Sequence, residues 1–297
     1  MDPRRLSYFL TIAAHQRMAK AAEVLGVAQP TLSQQLRALE QELGTVLFDR
    51  TPRGMQLTET GRALREHAQR LMVQTEAART AIAELEGGMT GVLRIGIINT
   101  YSTAFLPKMM ASFSQKYPEV RLSVEVGSAL GLEQRILTGH IDLAIAFDPP
   151  HHDELGADRL FEERLVLVLP KSPKSSAQSI SLTALSKQPL ALLTTAFATR
   201  RILDESLPPN VKLDIRAEMD SVEALIELAK SGGLPTVLAD KSLTARSDLS
   251  MVPIGPPWIR RSGALLWHAQ RYQTAAARAF MSTARATTKS ANATRKP

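Results

Sequence analysis

The chain has 297 residues, enough for two or more domains with sizeable cores. Its 36 Lys and Arg against 29 Asp and Glu give a formal charge of +7, which points toward nucleic acid, and the absence of cysteine excludes disulfides, cysteine nucleophiles and cysteine-ligated zinc or iron–sulfur sites. No run of about twenty apolar residues is available to cross a membrane, and the apolar stretch after Arg4 and Arg5 breaks at His15-Gln16-Arg17, so no signal peptide is expected and the protein is expected to be soluble and cytoplasmic.

The first legible elements are two short helices around Gly26. Ala21 and Ala22 permit close helix crossing, and Gly26 suits a turn that needs a positive φ. Leu32, Leu36, Leu39 and Leu43 then recur at steps of four, three and four, one apolar stripe at helical period. Pro30 fits the first turn of this second helix, where its missing N–H costs nothing. Pro30, Ser33, Gln34, Arg37 and Gln41 fall opposite the stripe. Their hydroxyl, amide and guanidinium groups suit base edges and phosphates. The pair therefore reads as a helix-turn-helix whose second helix enters the DNA major groove. An ordinary amphipathic surface helix is the alternative for the polar face alone; the Ala-Ala-x-x-Leu-Gly-Val unit before it favours DNA. Residues 1–58 carry seven Lys and Arg against five Asp and Glu, so charge adds only modest support.

Residues 1–60 resemble the winged helix-turn-helix domain of LysR-type transcriptional regulators. The resemblance is carried by Leu6-x-Tyr8-Phe9, Lys20-Ala21-Ala22 to Leu25, Gln29-Pro30-Thr31-Leu32-Ser33-Gln34-Gln35-Leu36, Leu39-Glu40, Leu43-Gly44, Leu47-Phe48-x-Arg50, Arg53-Gly54 and Leu57-Thr58-x-x-Gly61. It implies base or phosphate contacts for Gln29, Pro30, Thr31, Ser33 and Gln34, and a phosphate contact for Arg37. It also implies a wing over residues 49–57, with Arg53 reaching the DNA backbone or minor groove. Ala28 departs from the family, which usually places serine there; alanine gives up on the order of 1 kcal/mol of helix capping and a local phosphate contact.

Thr58 can cap a following helix, and Glu59 lies in its positive first turn. No proline interrupts residues 59–86. Leu64, Ala68, Leu71, Thr75, Ala78, Ile82 and Leu85 alternate steps of four and three, a heptad seam. The spacing predicts a helix roughly 40 Å long, ended by Gly87-Gly88 as a hinge, that pairs with a second copy; packing on its own domain is the alternative. Leu64, Leu71, Ala78, Ile82 and Leu85 are the expected dimer contacts. One recognition helix reads only a few base pairs, whereas a two-fold pair reads two half-sites.

From residue 91 onward, apolar strand patterns alternate with helices. Leu93, Ile95 and Ile97 start a strand; a helix is expected over 103–116, a strand over 120–126, a helix over 132–138 and a strand over 141–147. Strands at 165–169, 189–193 and 236–239 and a helix over 221–230 form a second round, and Leu265-Leu266-Trp267 returns the chain to the first lobe. This alternation favours a largely parallel sheet with helical crossovers. Lobe I is expected over about 91–162 and 265–285, lobe II over about 163–264, with hinge crossings near 161–164 and 263–266. The resemblance extends to about residue 285 and implies the family's effector domain of periplasmic-binding-protein type. The expected organisation is a winged helix-turn-helix over 1–58, a linker helix over 59–88, a two-lobed α/β effector domain over 89–285 and a disordered tail over 286–297. Arg285, Lys289, Arg295 and Lys296 stand in the last seventeen residues without any acid.

Pro107 belongs in a helix's first turn because it has no N–H to donate. That places the helix start near Thr103, with Thr100, Ser102 and Thr103 around it, just past a strand's carboxyl end. Ligands of open α/β sheets sit there, and a helix N-terminus favours an anion. Thr194, Thr195 and Phe197 take the corresponding place in lobe II, and Ser128 and Phe147 can line the same cleft. Each hydroxyl alone could equally bond its own backbone; their recurrence in both lobes predicts a cleft for a small anionic effector. Residues 145–149 and 153–157 are similar to cyanate-responsive members of the family. His151-His152-Asp153-Glu154 reads as a solvated loop, and neither a metal nor a cofactor is expected.

No nucleophile–histidine–carboxylate spacing, phosphate-binding glycine loop or paired-histidine metal motif is present, so the chain is not read as an enzyme and no catalytic residue is assigned. A solute receptor would need export and no DNA reader. The expected function is that of a sequence-specific DNA-binding transcriptional regulator controlled by a small anion, with an effector-independent repressor as the alternative. By resemblance it is a homotetramer, a dimer of dimers, on double-stranded promoter DNA, with RNA polymerase as a further partner and no membrane contact.

Overall fold

The computed structural model describes residues 1–52, 54–85, 89–171, 178–243 and 248–293. The chain forms two compact units, one holding Met1–Gly88 and the other Met89–Leu137 and Ile141–Pro297.

The first unit contains α1 (Pro3–His15), α2 (Met18–Leu25), α3 (Gln29–Leu43), β1 (Phe48–Thr51), β2 (Gly54–Leu57) and α4 (Glu59–Leu85). Asp2 caps α1 by accepting the Arg4 N–H at 2.8 Å. Gly26 ends α2 at φ 63 and Gly44 ends α3 at φ 68, both left-handed, so each turn uses a conformation that glycine adopts without strain. Ala28 holds the cap position of α3 and makes no side-chain cap bond. Leu6, Phe9, Ile12, Ala21, Ala22, Leu32, Leu36 and Leu39 close around one core with Leu47 and Phe48. Leu43, the fourth member of the expected stripe, is exposed. The chain turns at Gly44 and brings in Leu47 and Phe48, which occupy the core in its place.

Thr58 caps α4, accepting the Gly61 N–H at 2.9 Å. The predicted seam divides along this helix. Ala68 is fully buried, and Leu64, expected at the seam with a second copy, is partly buried and packs with Met72 against the core of its own helix-turn-helix domain. Leu71 (46% exposed), Ala78 and Ile82 (61% exposed) remain open to solvent. The side chain of Leu85 and the glycine pair at 87–88 lie outside the described residues.

The second unit starts with β3 (Gly91–Ile98), α5 (Asn99–Ser102), α6 (Leu106–Lys116), β4 (Val120–Gly127), α7 (Ala129–Leu137), β5 (Leu143–Asp148) and the long β6 (Leu155–Pro170). It continues through α8 (Leu182–Leu185), β7 (Pro189–Leu193), α9 (Ala198–Glu205), β8 (Asp214–Met219), α10 (Val222–Lys230), β9 (Thr236–Ala239), a 3-10 turn (Asp240–Leu243), β10 (Leu249–Pro253), β11 (Arg260–His268) and α11 (Ala275–Ala293).

The main sheet runs β10-β6-β11-β5-β3-β4, with β9 also paired to β6. Only the β3 pairs with β4 and β5 are parallel in it; β7 and β8 form a separate parallel pair. The sheet is therefore mixed rather than largely parallel. The reason is that β6 carries the chain out of the first lobe and β11 brings it back alongside, so the two must run antiparallel. Residues 155–164 of β6 pair with β11, whereas residues 165–170 pair with β9 and β10. The outward crossing is thus at Arg164 and Leu165. The return lies at Ile259 and Arg260, where Leu165 donates its N–H to the Ile259 carbonyl at 3.0 Å. Residues 263–266, expected at the second crossing, sit instead in the middle of β11 between β5 and β6, with Ala264, Leu265 and Leu266 fully buried.

Alternation along β6 serves both faces of the second lobe. Leu165 and Leu167 pack with Leu185, Leu190 and Leu192, while Val166 and Val168 pack with Leu193, Leu225 and Ile226. The first lobe has one core, closed by α11 through contacts such as Phe113 against Phe280, ring centroids 5.5 Å apart. The helix α11 runs to Ala293 with Thr288 buried, which corrects the expected disordered tail from 286. The apolar stripe of Ala277, Phe280, Met281 and Ala284 continues through Thr288, whose hydroxyl donates to the Ala284 carbonyl at 2.9 Å. Arg295 and Lys296 lie outside the described residues.

Candidate functional site

The outer face of α3 follows from the burial of its inner one. With Leu32, Leu36 and Leu39 in the core, Gln29, Pro30, Thr31, Gln34 and Arg37 are exposed and Ser33 is half-buried. Gln35 lies apart from this face and accepts from Arg5 Nε at 3.2 Å. The hairpin of β1 and β2 pairs Thr51 with Gly54. Its turn end is clamped to the end of α1: the Met55 N–H donates to the Gln16 carbonyl at 2.8 Å. Gly54 has φ 116, and a Cβ there would lie 2.3 Å from the Gln16 oxygen. Arg53, at the tip, lies outside the described residues.

A second site lies in the effector unit, a cleft of ≈ 320 Å³ between its lobes. Ile98, Asn99, Thr100, Val126, Ser128, Leu130 and Phe147 line it from lobe I, and Phe197, Thr199 and Arg201 from lobe II. The cleft thus brings together Thr100, Ser128, Phe147 and Phe197 from the predicted set. The chain enters α5 directly after β3 and restarts as α6 at Leu106, with Pro107 in the first turn. This break moves the expected helix start away from Thr103. Ser102 turns inward to its own backbone, donating to the Asn99 carbonyl at 2.8 Å, and Thr103 is exposed; neither lines the cleft. Thr194 and Thr195 also stand outside the lining. Ser128 lines the cleft while accepting the Gly131 N–H at 3.2 Å.

Two hydroxyls of the cleft are unusual. Thr100 and Thr199 are both buried, and neither Oγ1 has a hydrogen-bond partner among the described residues. Buried polar groups are nearly always paired, which makes these two an exception. Arg201 holds the carbonyls of Thr195 and Ala196 through Nη1, both at 3.0 Å. No carboxylate is among the described residues that line the cleft. Arg201 and the N-terminal end of α9 place positive charge on its lobe II side.

Thr199 and Arg201 escaped the sequence reading because α9 hides its helical character. Its first turn carries Arg200 and Arg201, its last Asp204 and Glu205, opposite to what the helix dipole favours. Phe197 supplies no side-chain cap. The usable signal was Ile202-Leu203 behind two charged residues. Arg200 faces away from the cleft and pairs with Asp204 at 2.8 Å and with Glu218.

Behind Phe147 lies a buried charged cluster. Tyr101 donates to Glu163 Oε1 at 2.7 Å, and Arg261 Nε bonds the same oxygen. Burial, and then the Glu163 carboxylate, push the Tyr101 hydroxyl well above its ordinary pKa, so it stays a donor. The histidine pair at 151–152 is divided between partners. His151 meets buried Glu133 through its N–H (2.8 Å) and Nδ1 (2.9 Å), whereas His152 meets Gln134 at 3.0 Å. Among the described residues no helix is long and apolar enough to cross a membrane.

Comparison with known proteins agrees with this geometry. Residues 3–62 match the bacterial regulatory helix-turn-helix protein, lysR family, and residues 86–289 match the LysR substrate binding domain. The chain is 31% identical over 288 residues to a probable RuBisCO transcriptional regulator of Trichormus variabilis, covering 93% of this chain and 85% of that one. It is 31% identical over 262 residues to the nitrogen assimilation regulatory protein nac of Klebsiella aerogenes, covering 86% and 85%. Full-length OxyR from Pseudomonas aeruginosa superposes with a TM-score of 0.76 at 26% identity, covering 96% of this chain and 95% of that one. CbnR in complex with its target DNA shares the fold, with a TM-score of 0.66 at 22% identity and coverage of 97% and 100%. A helix-turn-helix, a long helix and a two-lobed effector domain in this order, matched by both family models across most of the chain, place it in the LysR family of DNA-binding transcriptional regulators.

Proposed function

We propose that this LysR-family member reads a partly palindromic promoter with paired copies of α3 and its wing, and that a small anion in the interlobe cleft controls it. Gln29, Pro30, Thr31, Ser33 and Gln34 take the base edges and nearby phosphates, and Arg37 and Arg53 the backbone. Leu71, Ala78 and Ile82, with Leu85, form the face through which α4 pairs; the pairs assemble as a dimer of dimers. Thr100, Ser128, Phe147, Phe197, Thr199 and Arg201 hold the effector. The observation that carries this assignment is a cleft lined by Thr100 and Thr199, whose buried hydroxyls have no partner among the described residues, and by Arg201 as the one charged side chain among its described lining residues.

The ligand acts only through its preference for one lobe arrangement. A shift from 1:99 to 99:1 needs about 5.5 kcal/mol of differential binding. Such a shift changes the spacing of the DNA-reading pairs, the bend in the promoter and the access of RNA polymerase. The protein acts in the cytoplasm as a binding protein and not as an enzyme. The experiment is footprinting on the DNA upstream of its own gene, with and without acetate, benzoate, phosphate and cyanate; cyanate tests the subgroup resemblance. An anion-dependent change in the protected region is expected. A footprint identical under all four anions would leave an effector-independent repressor, and no footprint would overturn the DNA assignment.

A further inference from the structure

Glu40 stands in the last turn of α3, where the helix dipole disfavours an acid. Its bonds offset that cost. The Glu40 carbonyl accepts the Thr45 N–H at 3.1 Å, and its carboxylate Oε1 accepts the Leu47 N–H at 2.9 Å. One residue thus holds the chain at two points between α3 and β1. Leu47 is buried, and its N–H would be strongly disfavoured there without an acceptor. Half-buried Glu40 supplies one from a side chain, since Leu47 precedes β1 and stands outside the strand pairing of the wing.

Val46 and Leu47 are fastened on their other side to the start of α4. The Leu47 carbonyl accepts the Thr58 N–H at 3.1 Å. The Val46 carbonyl accepts the hydroxyls of Thr58 at 2.9 Å and Thr60 at 3.0 Å. Gly61 lies so close that a Cβ there would stand 2.2 Å from the Leu47 oxygen. Phe48 pairs with Leu57 at the root of the wing, whose turn end is held separately, at Gln16. Through Glu40, α3 bonds directly to that root.

We propose that Glu40 is a positioning residue for DNA recognition: its carboxylate sets the root of the wing against α3, so that base reading by the helix and backbone contact by the wing fall on one half-site together. It acts through the Leu47 N–H and not on DNA. The assignment rests on the reading of α3 and the wing as the two DNA-contacting elements. With this bond broken, α3 keeps its place through Leu32, Leu36 and Leu39 in the core. The wing stays tied to α4 and to the end of α1 but loses its direct bond to the recognition helix. The two kinds of contact then separate.

The test uses the full chain on the DNA upstream of its own gene, with two footprinting reagents at saturating protein. Dimethyl sulfate reads guanine N7 in the major groove, where α3 lies, and hydroxyl radicals read the sugars that the wing covers. Glu40→Ala is expected to keep the dimethyl sulfate protection, to lose the hydroxyl-radical protection beside it, and to weaken binding about tenfold, the loss of one hydrogen bond to a carboxylate. Glu40→Gln keeps an oxygen at the same reach and should restore both patterns. Glu40→Met keeps the length of the stem and the helix propensity but offers no oxygen, and is the milder variant should the alanine form lose its circular dichroism signature. Hydrogen exchange without DNA is the second measurement: the Leu47 amide should exchange about tenfold faster in Glu40→Ala or Glu40→Met than in the parent. If a folded variant keeps both protections or loses both, if Glu40→Gln behaves as Glu40→Ala, or if Leu47 exchange is unchanged, the positioning role is refuted while the DNA reading stands. A parent protein that protects no promoter fragment overturns the DNA reading and this assignment with it.

Discussion

Replacing Arg37 with alanine separates holding the DNA from reading it. Arg37 is exposed on the face of α3 opposite Leu32, Leu36 and Leu39, so its loss leaves the core untouched. Each phosphate contact removed lowers the slope of log K against log salt by about 0.9. A two-fold pair on two half-sites loses one such contact per copy, so the slope falls by about 1.8. Over a fourfold rise in salt, the parent protein then loses about twelvefold more affinity than the variant. Fluorescence anisotropy on a labelled operator, repeated across a salt series, measures this directly. Gln34→Ala supplies the contrast. It leaves the salt slope unchanged but relaxes discrimination at one base pair by about 1–3 kcal/mol. Equal slope changes in the two variants, or a changed base preference in Arg37→Ala, would refute this division of labour along α3.

Leu71→Glu should keep the helix-turn-helix folded, since Leu71 is 46% exposed, and should convert dimers to monomers in size-exclusion with light scattering; an intact dimer removes this face of α4 from the interface. Thr100→Val deletes a buried hydroxyl without a protein partner, so the unliganded protein should keep its urea midpoint or gain up to about 1 kcal/mol, while the effector binds about tenfold more weakly by calorimetry. Loss of stability with unchanged affinity would show a structural role instead. Gly54→Ala places a Cβ 2.3 Å from the Gln16 carbonyl at φ 116 and should lower stability by about 1–3 kcal/mol and weaken DNA binding by displacing the wing; thermal unfolding at parental temperature speaks against the clamp. Burial raises the Asp142 carboxyl above its ordinary 3.8 although it accepts the Arg94 N–H at 2.8 Å. A raised carboxyl stabilises the fold below its unfolded pKa, and that stability is lost as pH rises through the folded pKa. Asp142→Asn, which cannot titrate, should therefore compare more favourably with the parent at pH 7 than at pH 4 in urea unfolding; the opposite order would contradict the burial argument.

The helix-turn-helix was legible because its signals are local. Gly26 and Gly44 take left-handed conformations, Thr58 caps α4 and Ala28 leaves α3 uncapped, each an outcome of neighbours within a few positions. The cleft was legible only in part. Thr100, Ser128 and Phe197 follow strand ends and Phe147 stands next to the end of β5, so these could be placed from the strand pattern. Ser102 and Thr103 could not, because whether a helix starts at residue 99, 103 or 106 depends on what Tyr101 and Phe105 are buried against, namely Phe161 in a distant strand.

Periodicity and caps alone determined the two-helix DNA reader, the long helix behind it and the alternation of strands and helices, because hydrophobic spacing and turn chemistry act over one or two turns of chain. Tertiary packing decided which half of α4 is buried at home, that β6 and β11 run antiparallel, and that α11 extends to Ala293. It also decided that Arg261 meets Glu163, 98 positions away, beneath Phe147. Contacts of that kind depend on where the strands cross, and the crossing is set by the packing of whole lobes, for which no short stretch of residues carries a mark.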